Sequence, residues 1–288
     1  MVLENTMAEL PAEEVLSDIK VKMENGNKIT GIKTGLKDLD YMLDGLHRRE
    51  VTVIGARPYI GKTCLGVTMA NHIAIENKRK TLYFTLKSSS KQLMSRVYSS
   101  VGGVQVGKIR NGRLSEKEYK KVMSAYEKIH TSGLFIDDTS AISEEQVKYS
   151  CLAYAMDEQI DVVIIDYLQL MSCSREFDNR EMEIQHIMNE LKRMAVELNI
   201  AVVVFSNVNR AIDKKENKRV RACDFDILSL DIVVDNVISL YRDQFYNAET
   251  EENGLIDMYI LKNEHGDTGK CRMVILPLYS SIVNCEAM

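Results

Sequence analysis

A β-branched run feeding a glycine-containing loop and a Lys-Thr pair constrains this chain more than any other feature. Val51-Thr52-Val53-Ile54 has the composition of a buried strand. The segment that follows, Ala56-Arg57-Pro58-Tyr59-Ile60-Gly61-Lys62-Thr63, has the spacing of a small residue, four variable positions and then Gly-Lys-Thr, and a helix is expected from Lys62 to about Glu76. In that order, successive backbone N–H groups and the positive end of the helix form an anion cradle for phosphates. Lys62 is expected to reach the β- and γ-phosphates of ATP and the Thr63 hydroxyl to hold Mg²⁺. Ala56, Arg57, Pro58, Gly61 and Cys64 are expected around the nucleotide. A chance match in a surface loop is the alternative, and the flanking strand and helix argue against it.

The chain beyond the loop alternates strand and helix. Strands are expected at 81–86, 134–136, 162–165, 201–205, 237–241, 256–261 and 272–276. Helices are expected near 89–100, 115–130, 143–157 and 180–198. Apolar strands alternating with helices predict an α/β fold with a mostly parallel sheet flanked by helices on both faces. The predicted division is an N-terminal extension at 1–28 and one ATP-binding domain at 29–288. In the extension, Pro11 suits a first helical position, and Leu16, Ile19 and Met23 make one apolar stripe ended by Asn25-Gly26-Asn27. That stripe packs either on its own domain or on a neighbouring subunit.

Asp166 ends the run Val162-Val163-Ile164-Ile165, where a carboxylate can hold the Mg²⁺ hydration shell; alone it reads equally as a helix N-cap. Asn207 follows the next buried strand, either as a γ-phosphate sensor or as a plain turn residue. The stretch from Arg210 to Arg221 carries Arg210, Lys214, Lys215, Lys218 and Arg219. A flexible basic loop suits a nucleic-acid backbone, although such runs are as often solvated surface. No aromatic interleaves it, so base stacking is not expected there.

Global charge adds a limit. With 37 basic and 42 acidic side chains the net charge is −5, so any nucleic-acid contact must come from a local patch. The six cysteines form no CxxC pair and no Cys/His cluster with zinc spacing, as expected of reduced thiols in a cytoplasmic protein. No apolar run approaches membrane-spanning length, and no signal peptide is read at the N-terminus.

From about residue 12 to 284 the chain resembles the C-terminal motor domain of DnaB-type replicative helicases. Residues 29–40 resemble the family's opening segment, 55–63 its Walker A and Asp166-Tyr167-Leu168-Gln169-Leu170 its Walker B. Tyr241-Arg242-Asp243 and the stretch 262–269 resemble late motifs. The resemblance implies a RecA-like P-loop fold and a hexameric ring with ATP between subunits. It further implies nucleotide contacts from Arg242 and Lys262, single-stranded DNA in the channel, and a helicase loader or primase as partner. The segment before residue 29 would be a linker docking on the adjacent subunit. The family's separate N-terminal domain has no counterpart here, which fits a short version or a piece of a longer chain.

Three departures from the family pattern stand out. Phe84-Thr85-Leu86-Lys87 places a lysine where the family has its catalytic glutamate. Lys262-Asn263-Glu264-His265-Gly266 places a glutamate where it has an arginine finger. Residues 224–229 lack the arginine and glycine of its DNA-gripping loop. The leading expectation is an ATP-driven helicase domain acting in DNA replication. The second is a nucleotide-binding pseudo-helicase that associates with a helicase or its loader, with Lys87 and Glu264 as the altered catalytic positions. A recombination ATPase is the third, and Asp166 to Leu170 argue against it.

Overall fold

Alternating side chains of the central strand point into two different cores, and this fixes the architecture. Val51 and Val53 pack in one cluster and Ile54 and Ala56 in the other. The same alternation holds on either side, with Val162 and Ile164 against Val163 and Ile165, and Ala201, Val203 and Phe205 against Val202 and Val204. A strand buried on both faces needs apolar residues at nearly every position, which is why these runs are rich in Val and Ile.

The computed structural model describes residues 29–285 apart from 155–158, 226, 228–232 and 248, together with Leu16, Lys20 and Met23. Those three positions are helical and exposed. The rest of the expected stripe, Ile19 included, lies outside the described residues, as does the end of the helix expected at 143–157.

Ahead of the first strand stands α1 (Lys37–Leu43), followed by β1 (Val51–Ala56) and α2 (Lys62–Asn71), which continues as a π-helical turn, His72–Glu76. Next come β2 (Thr81–Thr85), α3 (Ser90–Gly102), α4 (Val106–Asn111), α5 (Glu116–His130), β3 (Leu134–Asp137), α6 (Glu144–Tyr154) and β4 (Val162–Asp166). The chain ends with α7 (Arg180–Leu198), β5 (Ala201–Asn207), β6 (Asn236–Tyr241), α8 (Asp243–Tyr246), β7 (Leu255–Lys262), β8 (Gly269–Leu276) and β9 (Ser281–Asn284).

Among the described residues, nine strands form one sheet in the order β3-β2-β4-β5-β1-β6-β7-β8-β9. The first six are parallel, and β7, β8 and β9 extend the sheet antiparallel. Helices α1, α2, α3 and α5 cover one face, with Leu39, Leu65, Leu93 and Ile129 in its core. Helices α6 and α7 cover the other, with Val147, Ile187 and Leu191. The mostly parallel, two-faced sheet matches the expectation; the three-strand antiparallel extension is additional. None of α1, α4 and β9 was expected, being seven, six and four residues long.

Candidate functional site

The carboxyl ends of the parallel strands gather the expected chemistry. Ala56 closes β1, Asp166 closes β4 and Asn207 closes β5, and register sets Ala56 beside Asn207 and Thr85 beside Asp166. Ligands of parallel α/β sheets bind at this end.

The loop from β1 turns into α2 at Gly61, whose φ of 137° only glycine adopts readily. No side chain caps α2, so the first-turn N–H groups are left for an external acceptor. Behind the loop, the Phe225 ring fills the space a side chain at Gly55 would need: a Cβ there would lie 2.1 Å from Cε1.

Lys62 is buried, and its Nζ donates to the Ala56 carbonyl at 2.7 Å, the Arg57 carbonyl at 3.3 Å and Asn207 Oδ1 at 2.8 Å. Burial lowers its pKa to about 8; the Asp166 carboxylate opposes the shift, while Lys87 and Arg57 add to it. Thr63 Oγ1 donates to Asp166 Oδ2 at 2.7 Å, so the two expected Mg²⁺ ligands already face each other. Asp166 is buried, which raises its pKa; the Thr63 hydroxyl, Lys62 and Tyr83 oppose that rise. A cleft of about 280 Å³ joins these groups and is lined by Pro58, Tyr59, Gly61, Lys62, Thr63, Cys64, Lys87, Arg96, Asp166, Tyr167 and Asn207.

Sequence reasoning missed three contributors. Gln169 locks Asn207 in place: its Nε2 donates to Ser206 Oγ at 2.8 Å and to the Asn207 carbonyl at 3.2 Å, and its Oε1 accepts from the Asn207 N–H at 2.9 Å. Tyr83 donates its hydroxyl to Asp166 Oδ2 at 3.2 Å. Arg96 reaches the cleft from α3, and no motif marks it. Gln169 alone carried a signal, as part of the Asp-Tyr-Leu-Gln-Leu stretch.

The remaining expected residues divide. Lys87 lines the cleft, with Nζ 5.7 Å from the Tyr59 ring centroid. Arg57 is turned away from the cleft and pairs with Asp213, Nη2 to Oδ2 at 2.6 Å. Arg242 follows β6 and packs against the loop, with Nη1 3.5 Å from the Ile60 carbonyl and its Nε buried without a partner. Lys262 and Glu264 lie elsewhere. Lys262 pairs in register with Val237 at the start of β6, and its Nζ donates to the Val234 carbonyl at 2.6 Å. The Glu264 N–H donates to Asn236 Oδ1 at 3.2 Å. Both therefore sit at the amino ends of the parallel strands, on the order of 20 Å from this chain's own loop, because β7 runs antiparallel. This structure does not bring them to the cleft.

The basic loop is tied down rather than loose. A 3-10 turn spans Arg210–Lys214. Lys215 pairs with Asp224, and Lys218 Nζ donates to the Asp213 carbonyl at 2.6 Å. Arg219 Nε donates to the Tyr259 hydroxyl at 2.8 Å, with its guanidinium over the rings of Tyr241 and Tyr259. The fold thus supplies, from distant strands, the aromatics that the loop's own sequence lacks, and it uses them within the chain. Arg210 and Lys214 are exposed. The departure read at 224–229 falls partly on residues outside those described.

All six cysteines are free. Among the described residues, no helix is long and apolar enough to cross a membrane.

The family model for the DnaB-like helicase C-terminal domain matches residues 31–284. Replicative DNA helicase DnaC of Bacillus subtilis (strain 168) is 32% identical over 260 residues, 90% of this chain and 57% of the relative. Replicative DNA helicase DnaB of Geobacillus stearothermophilus is 30% identical over 275 residues, 95% of this chain and 61% of the relative. The chain thus spans about three fifths of these curated relatives. Among solved structures, an isolated ATPase domain superposes with a TM-score of 0.90 at 26% identity, covering 96% of this chain and 99% of that one. A DnaB-like replicative helicase described with its primase interactions superposes with a TM-score of 0.87 at 27% identity, covering 95% and 67%. These likenesses favour the helicase-domain reading over the pseudo-helicase one.

Proposed function

Since this chain belongs to the DnaB-like helicase C-terminal domain family, we propose that it binds Mg²⁺ and ATP at the Gly61-Lys62-Thr63 loop. We propose further that it assembles with copies of itself into a hexameric ring and moves along single-stranded DNA during replication, with a loader or primase as partner. The observation that carries the reading is the contact between Thr63 Oγ1 and Asp166 Oδ2 beside the buried Lys62 ammonium. A hydroxyl and a carboxylate that meet next to a buried cation form a site for a metal ion and a polyphosphate together.

Lys62 Nζ exchanges its carbonyl partners for phosphate oxygens, while Asn207, braced by Gln169, holds it on line. Mg²⁺, when bound, neutralises charge on the β- and γ-oxygens; Thr63 and Asp166 are the residues that would hold it. Arg242, with an unsatisfied buried Nε, supports the loop from behind. Lys87 faces the same cleft as a cation, so it stabilises phosphate charge and does not take a proton from water. Lys262 and Glu264 act, in this reading, on the nucleotide of an adjacent copy. Arg210 and Lys214 contact DNA phosphates, with Lys215, Lys218 and Arg219 fixing the loop and adding positive field.

The test is calorimetric titration with ATP and Mg²⁺, together with turnover measured with and without single-stranded DNA. The expected result is ATP binding lost in Lys62→Ala with the fold intact, and turnover that DNA stimulates. Unchanged ATP affinity in Lys62→Ala removes the nucleotide assignment, and turnover indifferent to DNA removes the motor assignment.

A further inference from the structure

Glu144, Cys173 and His186 come from three separate pieces of chain: the start of α6, the segment after β4, and α7. Their donor atoms nevertheless all lie within 4.8 Å of one another. His186 Nε2 is 3.5 Å from Glu144 Oε1, and Cys173 Sγ is 3.9 Å from the same oxygen. Tetrahedral zinc, with bonds of about 2.0–2.3 Å, holds oxygen and nitrogen donors about 3.3 Å apart and sulfur about 3.5 Å from either. Two edges of this triangle are therefore within about half an ångström of those around a bound ion.

The surroundings are organised to present these donors. The Glu144 side chain is 1% exposed, and among the described residues no lysine or arginine forms an ion pair with it. A buried carboxylate needs a compensating positive charge or several donors. Ser174 supplies orientation: its N–H donates to both carboxylate oxygens, at 3.1 and 3.2 Å, and its hydroxyl donates to Oε1. The Phe177 ring lies against the His186 ring, with centroids 5.1 Å apart. Such outer contacts fix the ligands of metal sites. One carboxylate, one imidazole and one thiol suit a borderline-soft ion, whereas Mg²⁺ and Ca²⁺ call for several oxygens. None of the three residues lines the phosphate cleft.

We propose that Glu144, Cys173 and His186 bind one zinc-class divalent ion, with a fourth position open to water. A cysteine binds such an ion as its thiolate, so the thiol gives up one proton to solvent as the ion binds. The resulting thiolate and the Glu144 carboxylate together balance the two positive charges, which leaves a neutral centre around the buried Glu144 and the partly buried Cys173 and His186. The ion pins the segment leaving Asp166 to both α6 and α7. Occupancy therefore stabilises the exit of the strand that carries the magnesium-holding carboxylate.

The experiment uses the chelator-treated full chain, titrated with Co²⁺ as a spectroscopic probe and with Zn²⁺ in competition. The expected result is one ion per chain, a thiolate-to-cobalt charge-transfer band with tetrahedral visible bands, and a Tm that rises with Zn²⁺. Cys173→Ser, nearly isosteric, abolishes the band and weakens Zn²⁺ binding by at least about tenfold, the lower bound for losing even an outer-shell partner. His186→Gln weakens it comparably, and Cys223→Ser, at an exposed thiol, changes nothing. A cobalt spectrum without charge transfer, Zn²⁺ affinity unchanged in Cys173→Ser, or a loss that follows Cys223→Ser overturns the proposal.

Discussion

Lys62 carries a charge the fold makes expensive, and that has a pH signature. Its pKa in the folded chain is about 8 against an ordinary 10.5, so the unfolded chain holds the proton more tightly. The burial penalty is present in full below about pH 8 and is relieved as pH climbs toward 10.5, so this residue's contribution to stability rises across that window. Nucleotide affinity moves the opposite way, because polyphosphate binds the ammonium and pulls its pKa back up. ATP affinity is expected to fall above pH 8, with proton uptake on binding. Calorimetry at pH 8.5 in two buffers of different ionisation heat measures that uptake directly; identical heats in both refute the linkage. The motif made Lys62 legible in the sequence. Its low pKa was not, since it comes first from burial, which depends on how distant strands pack around the ammonium, with Asp166 opposing the shift and Lys87 and Arg57 adding to it.

At the scale of elements, α7 shows what a sequence can mark. Asn179 Oδ1 accepts from the Met182 N–H at 2.9 Å, and Ile184, Ile187, Leu191 and Ala195 make one buried stripe. Cap and period are local signals, and the helix runs over the residues expected. Asn179→Ala should lower stability by about 1 kcal/mol, and Leu191→Ala by about 2–5 kcal/mol, both read from the denaturant midpoint at constant slope. If Leu191→Ala is as mild as the cap change, the second core is less tightly packed than the burial implies. Helix α1 shows the limit of local signals. Its buried Asp40 reaches back to the Thr34 N–H at 2.7 Å, the Thr34 hydroxyl and the Gly35 N–H, a fold-dependent arrangement that no period announces. Strand β9 is similar: the Ile282 N–H donates to Thr68 Oγ1 on α2, so its place depends on a helix more than two hundred residues earlier.

For the molecule as a whole, the six parallel strands were legible because each is an apolar run, and at β1, β4, β5 and β6 an expected site residue closes or follows it. The antiparallel return through β7 was not, and it decides where Lys262 and Glu264 stand. If Glu264 meets Lys87 of another copy, Lys87→Glu and Glu264→Arg should each weaken assembly, and the double variant should restore it. Light scattering and ATP turnover on the four proteins give the coupling, and strictly additive effects leave the two residues independent. For DNA, replacing Lys214, Lys215, Lys218 and Arg219 together with Ala should weaken single-strand binding and flatten its salt dependence. Since Lys215 and Arg219 also brace the loop, the variant's melting temperature is read alongside; an unchanged salt slope removes the loop from the DNA path.

The central strand has a consequence for synthesis. Val51 pairs with Val202 on β5, and Thr52 with Asn236 on β6. A nascent chain must therefore grow more than 150 residues past β1 before either edge of that strand is covered. Until then, an apolar strand with two open edges waits on a partial sheet, the condition that slows folding and invites aggregation. Ribosome-bound chains arrested at residue 200 should be digested readily by protease at β1. Chains arrested once residue 241 has cleared the exit tunnel should resist.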